Sequence, residues 1–501
     1  MPKQVPLTTL DGNLDQVALT LAFVFRLSAN EDGNAVVEQV KASSERVVRK
    51  WPVLAGTPRL GENGRWTIEV PDDLDSLDRP LVYFTTTDKS DTPYHHAAGL
   101  DAPQPDLADA PSGGLPGAVA TLFRHPSAVR SLGDFVKQNR SVVQIHTTLL
   151  ADSLAIGVSV AHGICDGKGM GLVLKAITAE LHNQPWDVPP IYDGTNPFAE
   201  RLQQLVDDQR IKAEDPTPAV YRGLAPISVG GGARFASATL VETTYWKGQW
   251  SSLFFKQDAL DYLVQKTKEE VRLKTGGKEY VSAGDILIAW LMKSAHADEI
   301  GTGDSVEVDA VFNIRDLLDT YSNDTPAPPF KDYPYNCLAF YHATEPPIPL
   351  STLGPMPLTD FALHFRRNLL MYRTLPSLAE FWRQRGLTKP ALHVPVDDGP
   401  QIPPSLPFVG GKPFTHKWFL SNHMQLGMAD LAVPGKDGKD LPLMMYYLIP
   451  ELASFYQRNI GFQQLKEGVM VGTAIRKSRW ESVLRALAEV EREKEEHARR
   501  V

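Results

Sequence analysis

The stretch Val160–Gly169, VAHGICDGKG, places a histidine directly after an apolar run and an aspartate four residues later. Two of the 13 histidines have an aspartate at this spacing, His162 with Asp166 and His393 with Asp397. His393 lies among prolines, which predict an irregular loop that would not hold the ring in place. His162 follows SLAIGVSVA, which predicts a buried strand, and precedes a glycine-rich turn into a helix. Because α/β proteins place chemistry at strand ends that face a crevice, His162 is the candidate catalytic residue.

The chemistry available to His162 depends on its partner. An imidazole, with an ordinary pKa of about 6.5, can take a proton from an alcohol or amine near neutral pH. Asp166 could orient the ring, but Gly167 and Gly169 also fit a tight turn that Asp166 would cap. The pattern alone leaves two interpretations open, a catalytic base or a buried core histidine beside a helix cap. Cys165 is not expected to be a nucleophile, because the adjacent Asp166 would raise the pKa of its thiol.

The composition is that of a globular protein and excludes several classes. With 501 residues, 43% hydrophobic and 22% charged, the chain is long enough for two domains. A net charge of -9 and the lack of clustered Lys and Arg predict that it does not bind nucleic acid. The apolar runs are shorter than the ~20 residues of a membrane span, and the first residues lack a signal-peptide pattern. The two cysteines, Cys165 and Cys337, form no metal motif or disulfide framework. We therefore predict a cytoplasmic protein without a metal site.

Strand and helix patterns alternate on both sides of His162, which predicts an α/β fold. Strands are predicted at 141–146, 154–161, 253–255 and 306–312, and helices at 36–53, 167–182, 257–271, 286–292 and 480–500. Ser282 and Asp285 have capping-box spacing at the start of the fourth helix. The polar segment 206–236, rich in Pro and Gly, predicts a connector between an N-terminal half (1–205) and a C-terminal half (237–501).

The segment HGICDG resembles the H-x-x-x-D-G motif of the BAHD family, the CoA-dependent acyltransferases of plants and fungi. Further segments resemble the family in the family's own order. They are PLTTLD at 6–11, WPVLAG at 51–56, YVSAGD at 280–285, FNIR at 312–315 and PYN at 334–336. Each segment is short, but the ordered set spans nearly the whole chain and is similar to the family throughout.

This resemblance implies two similar α/β domains, each like chloramphenicol acetyltransferase, with an active-site tunnel between them. Acyl-CoA would enter from one face and a small-molecule acceptor from the other. The family's general base matches His162, and its mainly structural aspartate matches Asp166, paired with Arg315, while Gly167 supports the turn. The candidates for substrate binding are Ser282, Asn336, Ser421 and Asn422. Ser421 and Asn422 would either donate hydrogen bonds to the oxyanion or simply cap a turn.

The chain departs from the family at its second signature, D-F-G-W-G. In the corresponding region, 420–431, only Gly427 and Asp430 remain of the expected glycine and aspartate. We predict that Asp430 is structural, bonded to backbone amides or an arginine, and lies away from His162; the alternative is a solvated aspartate in a loop. The loss favours a divergent fungal member over a plant one.

These observations predict a monomeric, acyl-CoA-dependent O- or N-acyltransferase that acts on a small molecule, in particular a specialised metabolite. Acyl-CoA would be a co-substrate, and no cofactor would be bound permanently. Ala161 supports a free-standing enzyme, because the condensation domains of peptide synthetases usually have a second histidine there. The alternative is a scaffold of the same fold that binds a ligand or catalyses a non-acyl reaction such as a cyclisation.

Overall fold

The computed structural model describes residues 2–8, 18–61, 65–100, 113–114, 117–129, 131–213, 237, 240–299, 303–321, 329–344, 346–387, 415–449 and 459–500. Most of the predicted connector and all of the loop around His393 lie outside these residues. The domain boundaries and the assignment of that loop therefore stay predictions.

The described residues form a mixed α/β fold. The strands are β1 (Lys3–Pro6), β2 (Ala18–Arg26), β3 (Thr57–Leu60), β4 (Trp66–Val70), β5 (Tyr83–Lys89), β6 (Gly113–Gly114), β7 (Val143–Leu150), β8 (Ser153–Ala161), β9 (Gln249–Lys256), β10 (Ser305–Asn313), β11 (Leu338–His342), β12 (Ile348–Pro349), β13 (Thr415–Asn422), β14 (Leu443–Leu448), β15 (Asn459–Leu465) and β16 (Gly468–Ile475). The helices are α1 (Gly33–Lys50), α2 (Tyr94–Ala98), α3 (Leu132–Lys137), α4 (Gly167–Leu181), α5 (Pro197–Asp207), α6 (Gln209–Ala213), α7 (Gln257–Thr275), α8 (Ala283–Ala295), α9 (Arg315–Thr320), α10 (Leu350–Leu353), α11 (Leu358–Tyr372), α12 (Leu375–Leu387) and α13 (Lys477–Ala498). No described helix combines the length and apolarity that crossing a membrane requires.

The predicted elements are present, with shifted ends. The two strands before His162 form the antiparallel pair β7–β8. The first predicted helix ends at Lys50 rather than at 53, and Pro52 begins a short 3-10 turn. Since a proline disfavours helical geometry in the residue before it, the helix has to end ahead of Trp51. The predicted strand at 253–255 is the middle of the longer β9.

The first sheet positions His162. Its strand order is β14-β2-β8-β7-β5, and β8 lies at its centre with all 9 residues buried. A strand buried on both faces reads as a continuous apolar run, which is the pattern of SLAIGVSVA. His162 is the first residue after β8, so a rigid central strand carries it.

The second sheet has 8 strands, in the order β11-β10-β13-β15-β16-β9-β6 with β12 beside β10. The two sheets exchange strands across the predicted halves. β14 joins the first sheet through β2, and the two-residue β6 joins the second through β9. Neither exchange could be predicted, because local periodicity does not specify which sheet a strand joins. The small third sheet has the order β1-β4-β3.

Helix α4 lies against two segments of the C-terminal half at backbone distance. A Cβ atom added to Gly169 would lie 2.0 Å from the carbonyl oxygen of Pro334. A Cβ added to Gly171 would lie 1.9 Å from the carbonyl oxygen of Leu426. Only glycine permits this approach, so the glycines after Asp166 allow the two halves to pack together.

We predict that Gly171→Ala destabilises the protein although alanine favours helices by about 1 kcal/mol over glycine. The new methyl group would overlap the backbone at Leu426, and overpacking of this kind costs about 1–3 kcal/mol. The melting temperature measured by circular dichroism should fall. Gly303→Ala is the matched control, because nothing lies within 4 Å of the added atom there. An unchanged melting temperature for Gly171→Ala would contradict the contact.

Candidate active site

The ring of His162 is oriented by the backbone of its own turn. Nδ1 lies 3.1 Å from the carbonyl oxygen of Cys165. Because a carbonyl oxygen only accepts hydrogen bonds, Nδ1 carries the proton and Nε2 keeps a free lone pair. The carbonyl of His162 itself accepts a hydrogen bond of 2.7 Å from Nδ2 of Asn336. The half-buried ring is thus held in the tautomer that suits a base acting through Nε2.

Burial lowers the pKa of His162 below its ordinary value, although the charge of Asp166 and the hydrogen bonds around the turn partly oppose this effect. The imidazole is therefore neutral near pH 7. A neutral imidazole with an unprotonated Nε2 can accept a proton without first losing one.

Asp166 does not touch the ring of His162 but organises the turn that follows. Its Oδ1 accepts hydrogen bonds from the amides of Lys168 (3.0 Å) and Gly169 (3.1 Å) and so caps helix α4. Its Oδ2 accepts from the amide of Cys337 at 3.0 Å, which comes from the C-terminal half. The orientation that a catalytic aspartate would give the ring is supplied instead by the carbonyl of Cys165.

Arg315 forms the ion pair with Asp166 that the resemblance implies. Its Nη1 and Nη2 donate to the two carboxylate oxygens at 2.9 and 3.0 Å, and only 1% of Arg315 is exposed. The guanidinium also donates to the carbonyls of Tyr333 and Tyr335 and to Oδ1 of Asn313. Burial alone would raise the pKa of Asp166, but the charge and hydrogen bonds of Arg315 hold it below its ordinary value.

Two residues expected to bind substrate have other contacts. Asn336 is fully buried and donates to the backbone of His162, so it supports the turn from within. Ser282 forms a capping box with Asp285 at the start of α8, in which each side chain accepts a hydrogen bond from the other residue's amide. The spacing of these two residues had already indicated the cap.

The second motif region contains Asn422 and Asp430, for which the sequence left a structural alternative open. Asn422 is exposed, and its Oδ1 accepts from the amide of Met424 at 3.1 Å, as in a capped turn. Asp430 is also exposed, and within the described residues only its backbone forms hydrogen bonds. Within the described residues the carboxylate of Asp430 forms none of the predicted hydrogen bonds, and its Oδ2 lies beside Gly427, 2.9 Å from where a Cβ would stand.

His423 is a site residue that the sequence did not reveal. It is buried, and its Nε2 is hydrogen-bonded to Oγ of Ser421. A Cβ added to Gly167 would lie 3.7 Å from the ring, so His423 is adjacent to the turn at 162–167. Burial and then the nearby His162 lower the pKa of His423 to about 4. The sequence gives no signal for His423, because the residue four positions later is Gly427 rather than an aspartate.

A small cavity of about 20 Å³, partly open to solvent, adjoins this second histidine. It is lined by residues of β9, β14, β15 and β16 together with His423. The cavity therefore lies where the edge strand β14 of the first sheet meets the second sheet. Through His423 it is close to the turn at 162–167.

Two groups of described residues have the spacing of metal ligands, His296 with Glu299 and His416, and Glu307 with Asp309 and His342. In the first group the guanidinium of Arg479 donates to Glu299 at 2.8 Å and supplies the positive charge. In the second, Nδ1 of His342 pairs with Asp309 at 2.5 Å. Glu299 is thus engaged by Arg479, and Asp309 by His342.

The fold is that of solved acyltransferases. TRI101 of F. sporotrichioides, complexed with coenzyme A and T-2, is 12% identical with a TM-score of 0.61 over 96% of both chains. Vinorine synthase is 12% identical with a TM-score of 0.53, covering 95% of this chain and 91% of its own. The chain has the fold of the BAHD acyltransferases. The predicted α/β class with two acyltransferase-like halves is confirmed, as is the resemblance to the BAHD family. No protein-family profile matches the chain.

The chain is also similar to proteins that carry other names. An epimerization domain of tyrocidine synthetase B is 13% identical with a TM-score of 0.53, over 99% of this chain and 97% of its own. The acetyltransferase pyiB of Pyricularia grisea is 25% identical over 396 residues, 77% of this chain and 73% of pyiB. The protein calD of Penicillium decumbens, named a transcriptional regulator, is 23% identical over 266 residues, 51% of this chain. The chain spans about half the length of calD (50%) and of the Penicillium roqueforti acetyltransferase adrJ (53%).

The stability contributed by Asp166 should disappear in acid. Its pKa in the folded chain lies below the value of about 3.9 of an unfolded chain. The contribution is therefore complete above about pH 4 and is lost as the pH falls through the folded pKa. Asp166→Asn should lower stability near neutral pH by about 3–5 kcal/mol, as expected when one partner of a buried ion pair is removed. The deficit should shrink as the pH is lowered below about 4.

Thermal unfolding at a series of pH values between neutral and about pH 3 measures this difference. Asp430→Asn is the matched control, because the same change at an exposed carboxylate should leave the melting temperature unaltered. A deficit for Asp166→Asn that stays constant across the series would show that the charge of Asp166 is not its source.

Proposed function

We propose that this protein is an acyl-CoA-dependent acyltransferase and that His162 is its general base. The observation that carries the proposal is the hydrogen bond from Nδ1 of His162 to the carbonyl of Cys165, which leaves Nε2 as a free base on a rigid turn. The likeness to acetyltransferases such as pyiB and to a CoA-bound structure supports the reaction class. The acceptor would be the hydroxyl or amine of a small, specialised metabolite.

The reaction requires a single displacement. The acceptor oxygen or nitrogen attacks the thioester carbonyl while Nε2 of His162 takes its proton. The tetrahedral intermediate then breaks the carbon–sulfur bond, and the proton passes from His162 to the CoA sulfur, which leaves as the thiol. No acyl-enzyme is needed, because the thioester is already activated and both substrates are held together. Ser421 and Asn422 both stay candidate donors to the oxyanion, since the turn at Asn422 engages only its Oδ1 and leaves its Nδ2 able to donate.

The rival function is that of a binding protein, or of an enzyme with non-acyl chemistry, on the same scaffold. Two observations favour it. One relative is named a transcriptional regulator, and an epimerization domain shares the fold. Against it, the chain keeps the complete set of His162, Asp166, Gly167 and Arg315, with the ion pair formed. We therefore retain acyl transfer as the proposal.

Binding of CoA separates the two functions. We expect calorimetry to detect binding of acetyl-CoA, and a thiol reagent to detect free CoA when a panel of hydroxylated and amine acceptors is supplied. A chain that shows no heat of binding with acetyl-CoA up to millimolar concentrations would favour the rival. Binding without thiol release across the panel would indicate a non-acyl role.

His162→Ala should lower turnover by about 10²–10⁴, the usual contribution of a positioned general base. The dissociation constant of CoA should hardly change, because the base acts on the acceptor. In the unaltered protein kcat/KM should rise with pH to a plateau, with a midpoint below about 6.5, because the pKa of the folded histidine is lowered.

The control is His497→Ala, which removes an exposed imidazole from helix α13. This variant should keep the turnover and the pH profile of the unaltered protein. Near-normal turnover in His162→Ala would instead identify His162 as a core residue without a catalytic role.

A further inference from the structure

The cavity beside His423 has the size and the polarity of a site for one water molecule. Its volume is about 20 Å³, and about 10–15 Å³ is enough to hold a water that polar groups surround. Tyr446 and Gln463 line it and are only 2% and 4% exposed. The hydroxyl of Tyr446 and Oε1 of Gln463 form no hydrogen bond in the described part of the chain. Because buried polar groups are rarely left unpaired, a water between them is the partner that this space admits.

The hydrogen bonds of such a water follow from the groups around it. Nε2 of Gln463 donates to the carbonyl of Gln464 at 3.1 Å, so Oε1 is the amide atom left for the cavity. The water would donate one hydrogen to Oε1 and accept the hydrogen of the Tyr446 hydroxyl. Its second hydrogen then remains for another acceptor, and His423 lines the same cavity.

The two ring nitrogens of His423 have different surroundings. Nε2 is hydrogen-bonded to Oγ of Ser421. The Nδ1–Cε1 edge of the ring faces Gly461, because a Cβ added to that glycine would lie 3.9 Å from both atoms. Since Gly461 lines the cavity, Nδ1 is the nitrogen on the cavity side.

The tautomer of His423 decides what the hydroxyl of Ser421 can do. Burial and then the nearby His162 lower the pKa of His423 to about 4, so the ring is neutral near pH 7 and only one nitrogen carries a hydrogen. If Nε2 is bare, it accepts the single hydrogen of the Ser421 hydroxyl, and none is left for a substrate. If Nε2 carries the hydrogen, it donates to Oγ, and the hydroxyl hydrogen can point elsewhere.

Resting on the proposed acyl transfer, we propose that the cavity binds one water that donates to Nδ1 of His423, and that His423 is thereby a positioning residue for Ser421. Nε2 then donates to Oγ of Ser421, and the hydroxyl of Ser421 donates its own hydrogen to the oxyanion of the tetrahedral intermediate. His423 touches no reacting atom. It fixes the direction of a hydrogen bond that the reaction uses.

The position of the two side chains suits this role. The ring of His423 packs against the turn at 162–167, because a Cβ added to Gly167 would lie 3.7 Å from it. Ser421 is half-buried at the end of β13, where a substrate can reach it, whereas only 7% of His423 is exposed. The other interpretation makes Ser421 a nucleophile with His423 as its base. A pKa of about 4 counts against it, because such an imidazole is a weak base near neutral pH.

Nitrogen-15 NMR of the histidine-labelled protein measures the tautomer without any substrate. We expect the resonances of His423, assigned by their loss in His423→Gln, to show the hydrogen on Nε2. Gly461→Ala should displace the water, because the methyl group would stand 3.9 Å from Nδ1 on the cavity side. The Nδ1 resonance should then move downfield, as a bare nitrogen does when it loses a hydrogen bond. Gly303→Ala, with nothing within 4 Å of the added atom, is the control.

Turnover of acetyl-CoA with an acceptor from the panel tests the effect on the reaction. Ser421→Ala should lower kcat by about 10²–10³, as the loss of one oxyanion donor does, with little change in the KM of acetyl-CoA. His423→Phe leaves the hydroxyl without its direction and should lower kcat about threefold to tenfold, the value of one net hydrogen bond. His423→Gln offers an amide N–H in place of Nε2–H and should restore most of that loss. His497→Gln, at an exposed position on α13, is the control.

The double variant shows whether His423 acts through Ser421. Once Ser421 is replaced by alanine, His423→Phe should lower kcat no further, because residues that act as a unit are not additive. Additive losses would give His423 an independent or purely structural role and overturn the proposal. An acyl group found on Ser421 by mass spectrometry would make the serine a nucleophile and overturn it as well.

The NMR result separates this proposal from the proposed function. A hydrogen on Nδ1 would refute the positioning role even if thiol is released, and acyl transfer would stand. An Nδ1 resonance that Gly461→Ala leaves in place would refute the water site. The expected tautomer without thiol release from any acceptor would support the assignment of the water and the ring but refute acyl transfer.

Discussion

The buried ion pair between Asp166 and Arg315 is the constraint on which the active site depends. Two charges taken out of water are stable only when further hydrogen bonds surround them. Here those bonds come from both halves of the chain. Asp166 accepts from the amides of Lys168, Gly169 and Cys337, and Arg315 donates to the carbonyls of Tyr333 and Tyr335. The Asp166–Arg315 pair thus holds segment 333–337 in contact with the first turn of α4. Asn336, in that segment, then fixes the backbone of His162.

This arrangement separates two roles that one aspartate has in many hydrolases. In a catalytic triad the carboxylate orients the histidine and stabilises its charged form. Here the charge of Asp166 is neutralised by Arg315, and a backbone carbonyl orients the ring instead. A carbonyl selects the tautomer as effectively but adds no full negative charge, so burial can lower the pKa of His162. The result is an imidazole that is already unprotonated at neutral pH, as the proposed general base requires.

Much of this fold and part of the site could be predicted from the sequence. The strand before His162 and the helix after it are encoded by local periodicity, and His162, Asp166 and Arg315 stand out through ordered motifs. The exchange of β14 between sheets, the position of His423 and the cavity depend on contacts between distant segments, which no local pattern records. The contacts favoured for Asp430 were inferred from its place in a motif, which does not fix side-chain contacts, and the residue is exposed as in the solvated alternative.

The divergent second motif still braces helix α4, but through its backbone. The carbonyl of Leu426 packs on Gly171, and Oγ1 of Thr178 donates to the carbonyl of Asp430 while accepting from the amide of Ala432. Backbone contacts do not require particular side chains, so the D-F-G-W-G residues could be lost while α4 stayed in place. Ser421 and His423, at the start of this motif region, are hydrogen-bonded to each other. His423 lies beside the turn at 162–167 and lines the cavity. Because the bracing contacts are made by the backbone, the side chains of this segment can change without moving helix α4.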